Sequence, residues 1–253
     1  MTGKPHPAGV LRALVVDDEE LARQLLREHL AGRTDVELLA ECSNGFDAVK
    51  AITELRPDLV FLDIQMPKLD GFEVLELVDN VPAIVFVTAY DQYALKAFEV
   101  HAVDYLLKPF TRERFERAIE RVRERVARNL KLPVAELIEA ARPQKKGLER
   151  ILIREGSNVI IIPAEKIDYI EAQDDYVSFR SEGKNHLKHQ RLADLEHSLE
   201  PSRFVRIHRS FILNLERLAR LEPYAKDSRV AILKDGTQLP VSKTGYEKLR
   251  QLL

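Results

Sequence analysis

The chain predicts a doubly wound α/β domain built on a five-stranded parallel sheet, followed by a smaller, mostly-β domain. Three observations carry that expectation. In the first half, short apolar runs alternate with segments whose apolar residues recur at helical spacing, the pattern of βαβ units. Four of those runs end on a polar side chain able to do chemistry: Ala13–Val16 on Asp17-Asp18, Leu59–Leu62 on Asp63, Ala83–Val87 on Thr88, and Val103–Leu107 on Lys108-Pro109. Beyond the polar, Pro/Gly-punctuated stretch Arg142–Gly147, the texture changes to short β-branched and aromatic runs separated by turn signals.

Taken in order, the strand ending at Val16 precedes a helix over 19–31, where Leu21, Leu25, Leu26, His29 and Leu30 recur in a helical pattern. A strand over 36–42 leads to a helix over 44–55 carrying Ala48, Ile52 and Leu55. The run Leu59–Leu62 is uniformly apolar, as a parallel strand buried on both faces must be. It is followed by helices over 71–79, 91–100 and 111–128, with strands to Thr88 and Leu107 between them. The last helix is rich in arginine and glutamate, but Phe115, Ala118, Ile119, Val122 and Val126 give it an inward face. Its charged residues read either as a solvated, ion-paired surface or as part of an intersubunit face. A short helical patch at 134–141 precedes the linker. The second half predicts strands at 151–153, 159–162, 167–170, 176–179, 203–206, 211–213, 218–223, 229–233 and 237–241, with helices at 192–199 and 244–253.

Carboxylates at strand ends matter because the crevice beyond the carboxyl ends of a doubly wound sheet is where ligands bind. Asp17, Asp18 and Asp63 converging there would suit a hard cation such as Mg2+, which takes oxygen ligands and retains waters. A carboxylate oxygen can attack a phosphoryl group to form an aspartyl phosphate. That transfer needs mainly in-line positioning and neutralisation of charge, which a cation and the Lys108 amine would supply, with the Thr88 hydroxyl as a neutral donor. Singly, each residue has a plainer reading: Asp63 as a cap or turn residue, Asp17-Asp18 as an N-cap, Thr88 and Lys108 as loop residues.

The combination, at successive strand ends over residues 10–128, resembles the receiver domain of two-component response regulators. The resemblance implies a flavodoxin-like fold in which Asp63 is the phosphoacceptor. It implies that Asp18 binds the metal directly and Asp17 through water, with the Gln65 backbone carbonyl completing the shell. Thr88 and Lys108 would contact phosphoryl oxygens, Thr88 and Tyr105 would form the switch pair, and Lys108-Pro109 would be a cis peptide. A sensor histidine kinase is the implied phosphodonor.

In the second half, Ile167–Ala172, Leu239–Lys243 and above all Phe204-Val205-Arg206-Ile207-His208-Arg209-Ser210-Phe211-Ile212-Leu213-Asn214 resemble the LytTR DNA-binding domain, over 148–253. With the upstream receiver, the chain is identified as a LytR/AlgR-type regulator. The resemblance implies groove contacts from the Asp174–Tyr176 loop with Tyr176, from His208 and Arg209, and from Lys243 and Thr244; Arg206 is assigned to a phosphate. Two features depart from the pattern: Thr244 stands where a second basic residue is common, and Asp174-Asp175 puts two acids in a loop expected to approach phosphates. Ser210 and Asn214 read as structural. The expected output is duplex DNA with tandem half-sites, engaged by a homodimer formed on phosphorylation. The alternative is a receiver coupled to a protein-interaction or RNA-binding module.

Composition bounds the rest. At 253 residues the chain has room for two domains, expected as 10–128 and 148–253 with a lead-in at 1–9 and a linker at 129–147. The net charge of −2 divides unevenly: residues 1–130 carry 17 Lys and Arg against 23 Asp and Glu, and residues 131–253 carry 22 against 18. An acidic metal-binding half and a mildly basic half suited to a polyanion fit that split. The single cysteine, Cys42, and the lack of a signal peptide or apolar span point to the cytoplasm, with no membrane partner. The second half contains no nucleophile–base arrangement or phosphate loop, so no enzyme is expected; autophosphorylation would be a stoichiometric switch.

Overall fold

A computed structural model of the chain describes residues 9–89, 102–128, 147–156, 158–225 and 228–252. The chain divides into two compact units, Met1–Pro143 and Gln144–Leu253. The helices expected at 91–100 and 134–141 lie outside the described residues, as does nearly all of the expected linker.

The first unit is a parallel sheet of β1 (Leu11–Val16), β2 (Val36–Cys42), β3 (Leu59–Leu62), β4 (Ala83–Thr88) and β5 (Asp104–Leu107), in the order β2-β1-β3-β4-β5. Strand order reverses at β1, which pairs with both β2 and β3. Every residue of β3 and β4 is buried, which explains why both are apolar up to the terminal Thr88 of β4. The helices α1 (Glu20–Leu30), α2 (Gly45–Leu55), α3 (Gly71–Glu76) and α4 (Arg112–Ala127) connect and cover the strands. One core layer joins Val15, Leu26, Phe61 and Val85 to Phe115, Ile119 and Val122 of α4.

The helix starts follow from local chemistry. Asn44 and Thr111 accept N-terminal amides of α2 and α4. Asp70 and Glu73 form a reciprocal capping box on α3, so the Asp70-Gly71 dipeptide is a helix start. That helix ends at Glu76, earlier than the expected 79. Gly71 is required by packing, since a Cβ there would lie 2.4 Å from the Asp63 carbonyl oxygen.

The second unit centres on an antiparallel sheet of β8 (Ile167–Gln173), β9 (Tyr176–Ser181), β10 (Lys184–His189), β11 (Phe204–His208) and β12 (Phe211–Asn214), in the order β10-β9-β8-β12-β11. The hairpin β6 (Arg150–Glu155) and β7 (Asn158–Pro163) and helix α5 (Leu192–Ser198) supply one core; β13 (Leu218–Ala225), β14 (Ser228–Leu233), β15 (Gln238–Val241) and helix α6 (Lys243–Leu252) supply a second. Strand alternation divides the sheet between them. Phe204 and Ile212 join the first core, while Val205, Ile207 and Leu213 join the second. Asn214 is fully buried, donating to the Ile167 carbonyl and accepting from the Glu216 amide, in keeping with its structural reading.

Candidate functional site

The strand-end residues of the first unit come together. Asp17 follows β1 and is fully buried; Asp63 follows β3 and is 5% exposed; the Asp18 side chain is on the surface. One carboxylate oxygen from each of the three lies within 4.8 Å of the others. Lys108, after β5, inserts its amine between two of them, 2.7 Å from Asp17 Oδ2 and 3.2 Å from Asp63 Oδ2. The first is a contact of charge rather than of hydrogen-bond direction, and the second is a hydrogen bond. Glu19 Oε2 is 3.4 Å from the same amine but largely exposed.

The carboxylates are also oriented by backbone. The Glu19 amide donates to Asp17 Oδ1 and the Gln65 amide to Asp63 Oδ1, so each acid holds the turn that follows its strand. The turn reading and the site reading of these residues are therefore compatible. The Lys108-Pro109 peptide is cis. Thr88 closes β4, fully buried, and its hydroxyl has no hydrogen-bond partner among the described residues. Tyr105, on the neighbouring strand and opposite Phe86, is buried. A buried hydroxyl is costly unless something satisfies it.

Among the described residues, acids outnumber the one lysine in this crevice. Burial pushes the Asp17 carboxyl up to about 6; repulsion from Asp63 adds to the rise and Lys108 opposes it. Burial pulls the Lys108 amine down, but Asp17 and Asp63 more than offset it and hold its pKa above the ordinary value.

At one end of the second unit's sheet, three loops expected to meet DNA are gathered. The β8–β9 turn carries Asp174, in the left-handed region at φ 50°, with Asp175 and Tyr176, all exposed. The β11–β12 turn carries His208 and exposed Arg209, and the Ala172 amide donates to the Ser210 carbonyl, tying the two turns together. The third element is the start of α6. Ser242 donates its amide and its hydroxyl to the Ile207 carbonyl, and its Oγ accepts the Gly245 amide as an N-cap. Exposed Lys243 and Thr244 thereby sit next to the β11–β12 turn.

Arg206 is placed differently from its neighbours. Its guanidinium donates to Glu196 Oε2 at 2.9 Å and to the Arg209 carbonyl at 2.9 Å, leaving it half-buried within the domain. Glu196 was not singled out from the sequence, because nothing in the spacing of α5 pairs it with β11. Ser242, within the Leu239–Lys243 motif, is a readable helix cap, whereas the close packing of Gly245 appears only in the fold. Arginines of α4 also have intramolecular partners: Arg114 and Arg121 with buried Asp104, Arg117 with Glu113, and Arg123 with Asp35. Among the described residues no helix is long and apolar enough to cross a membrane.

Comparison with known proteins assigns a family to each unit. Residues 13–120 match the response regulator receiver domain family and residues 157–253 the LytTR DNA-binding domain family. The chain is 35% identical to the sensory transduction protein LytT of Bacillus anthracis over 247 residues, 96% of this chain and 99% of that protein. It is 36% identical over 248 residues, with the same coverage, to the transcriptional regulatory protein BtsR of Salmonella typhi. Among solved structures, the receiver domain of AraT, a response regulator from Geobacillus stearothermophilus, is 29% identical, covers 47% of this chain and 98% of its own, and superposes with a TM-score of 0.42. The chain thus belongs to the response regulators that join a receiver domain to a LytTR DNA-binding domain.

Proposed function

We propose that this protein is a phosphorylation-switched transcription regulator. Asp63 accepts a phosphoryl group with Mg2+ bound, phosphorylated receivers pair, and the two output domains grip tandem half-sites on duplex DNA. The observation that carries the reading is the crevice of three carboxylates, one lysine and one buried hydroxyl at the carboxyl end of the sheet.

The residues fit a hard divalent cation, because the donors are all oxygen and their excess negative charge is partly buried. Asp18 and Asp63, with Asp17 through water and the Gln65 carbonyl, would hold it, and when bound it supplies positive charge to the phosphoryl oxygens. Asp63 then attacks phosphorus while the donor's leaving group departs with its electron pair. Lys108 exchanges part of its contact with Asp17 and Asp63 for a phosphoryl oxygen. The Thr88 hydroxyl donates to a phosphoryl oxygen, and its movement frees space beside Tyr105. A sensor histidine kinase is the donor this chemistry implies.

Proton competition gives a test of the metal set. With its pKa near 6, Asp17 holds a proton in the native metal-free state that the unfolded chain releases near 3.8. The metal-free fold therefore loses stability as pH rises from about 4 to about 6, and a metal that needs the carboxylate ionised binds better over that same rise. Calorimetric titration should find Mg2+ binding roughly tenfold weaker at pH 5 than at pH 7. Equal affinity at the two values would exclude Asp17 from the metal set.

The output is tested by selecting bound duplexes from a random pool with the full chain, before and after acetyl phosphate, alongside light scattering over a concentration range. Phosphorylation adds nearly two charges, enough to bias a two-state surface. The expected result is a lower dimer dissociation constant and enrichment of a repeated half-site. Unchanged scattering would remove dimerisation from the switch. Enrichment of no duplex, with RNA or a protein bound instead, would overturn the DNA output.

A further inference from the structure

The β11–β12 turn is held by side chains where its ladder fails. Pairing of β11 with β12 is regular from Phe204 to Arg206 and then shifts register before His208. Past that irregularity, the Ser210 amide donates to His208 Nδ1 at 3.3 Å, and the Arg209 carbonyl accepts from Arg206 at 2.9 Å. Arg206 is in turn fixed by Glu196 of α5, whose other carboxylate oxygen lies 3.0 Å from Lys248 of α6. Strand alternation puts Arg206 on the same side as Phe204, whose core includes Leu192 and Leu195 of α5, so the pairing with Glu196 follows from the sheet's parity. β11 is the edge strand of its sheet, and Glu196 closes the two helices over it.

A guanidinium that already donates to a carboxylate and to a main-chain carbonyl is poorly placed to serve as a phosphate clamp as well. Leaving for DNA would strand Glu196 with Lys248 alone and remove the support of the turn that carries Arg209. We propose that Arg206 and Glu196 are positioning residues for DNA recognition: Glu196 fixes Arg206, and Arg206 fixes the backbone from which Arg209 reads bases, with neither touching DNA. This rests on the DNA-binding reading above.

The two roles have different signatures. A phosphate contact contributes about −0.9 to the slope of log affinity against log salt on B-form DNA and weakens all sequences alike. A positioning residue leaves that slope alone and acts on discrimination, through the bidentate base contact that Arg209 can make. The experiment is fluorescence anisotropy of the full chain on a selected duplex, on single-base variants and on unrelated duplex, at several salt concentrations. Wild type, Glu196→Gln, Arg206→Gln, Arg209→Ala and the double variant Glu196→Gln/Arg209→Ala are compared. Glu196→Gln and Arg206→Gln should each lower the ratio of specific to non-specific affinity about tenfold at an unchanged salt slope. In the Arg209→Ala background, Glu196→Gln should have no further effect on that ratio, which a general loss of structure would not produce. An Arg206→Gln slope shallower by about 0.9, with Glu196→Gln at wild-type discrimination, would overturn the proposal while leaving the DNA-binding reading intact. A wild-type chain with no sequence preference would instead defeat that reading, and the proposal with it.

Discussion

Asp63→Asn is expected to abolish phosphate uptake. Incubated with acetyl phosphate and Mg2+, the wild-type chain should gain the mass of one phosphoryl group, and neither the variant nor the wild type in excess chelator should gain any. The amide that replaces the carboxylate is nearly the same size, so the turn and the Lys108 contact are perturbed little, but its oxygen is far too weak a nucleophile to attack phosphorus. Unfolding is not the cause to expect. Asp63 is a buried acid beside another buried acid, Asp17, and removing one charge relieves repulsion, so the melting temperature should not fall. Lys108→Ala provides the graded comparison. It leaves the nucleophile in place but removes the cation that lies against Asp63 and would meet the transferring oxygens, and should slow uptake on the order of a hundredfold. Equal uptake by Asp63→Asn and wild type, read by intact mass, would show that the acceptor is another residue.

The acidic crevice was readable from the chain because central parallel strands announce themselves. Leu59–Leu62 and Ala83–Val87 contain no polar residue, so the side chain that follows each run is placed at the sheet's carboxyl end by register alone. Edge elements give no such signal. β10, Lys184–His189, passed unrecognised because five of its six residues are polar and its one aliphatic residue, Leu187, is itself half exposed. The shortened α3 follows from its C-cap at Leu77, which no glycine marks. The ion pair of Arg206 illustrates a different limit, since Glu196 lies on another element at no spacing that the sequence fixes.

The other edge strand, β11, sets a large stability effect to be expected in the second unit. Gly245 lies in the first turn of α6, where a Cβ would come within 2.0 Å of the Ile207 carbonyl oxygen and 2.5 Å of its carbon. These are main-chain atoms of a buried strand, and that carbonyl already accepts the amide and the hydroxyl of Ser242. No flexible side chain stands in the way to yield. Gly245→Ala therefore lifts the start of α6 off β11, loosens the Ser242 cap and disturbs the packing of buried Leu249. Alanine gains about 1 kcal/mol over glycine in a helix interior. Overpacking against main chain, at the upper end of the usual range of about 1–3 kcal/mol, together with a lost cap of about 1 kcal/mol, outweighs that gain. The net expectation is destabilisation by about 2–3 kcal/mol, read as a lower melting transition. Affinity for a selected duplex should fall with it, because Lys243 and Thr244 ride on the displaced turn. Lys243→Ala separates the two effects. It removes an exposed side chain from the same turn, so it should weaken DNA binding at an unchanged melting temperature. A Gly245→Ala chain that melts like wild type and binds the duplex unchanged would show that α6 does not rest on the Ile207 carbonyl.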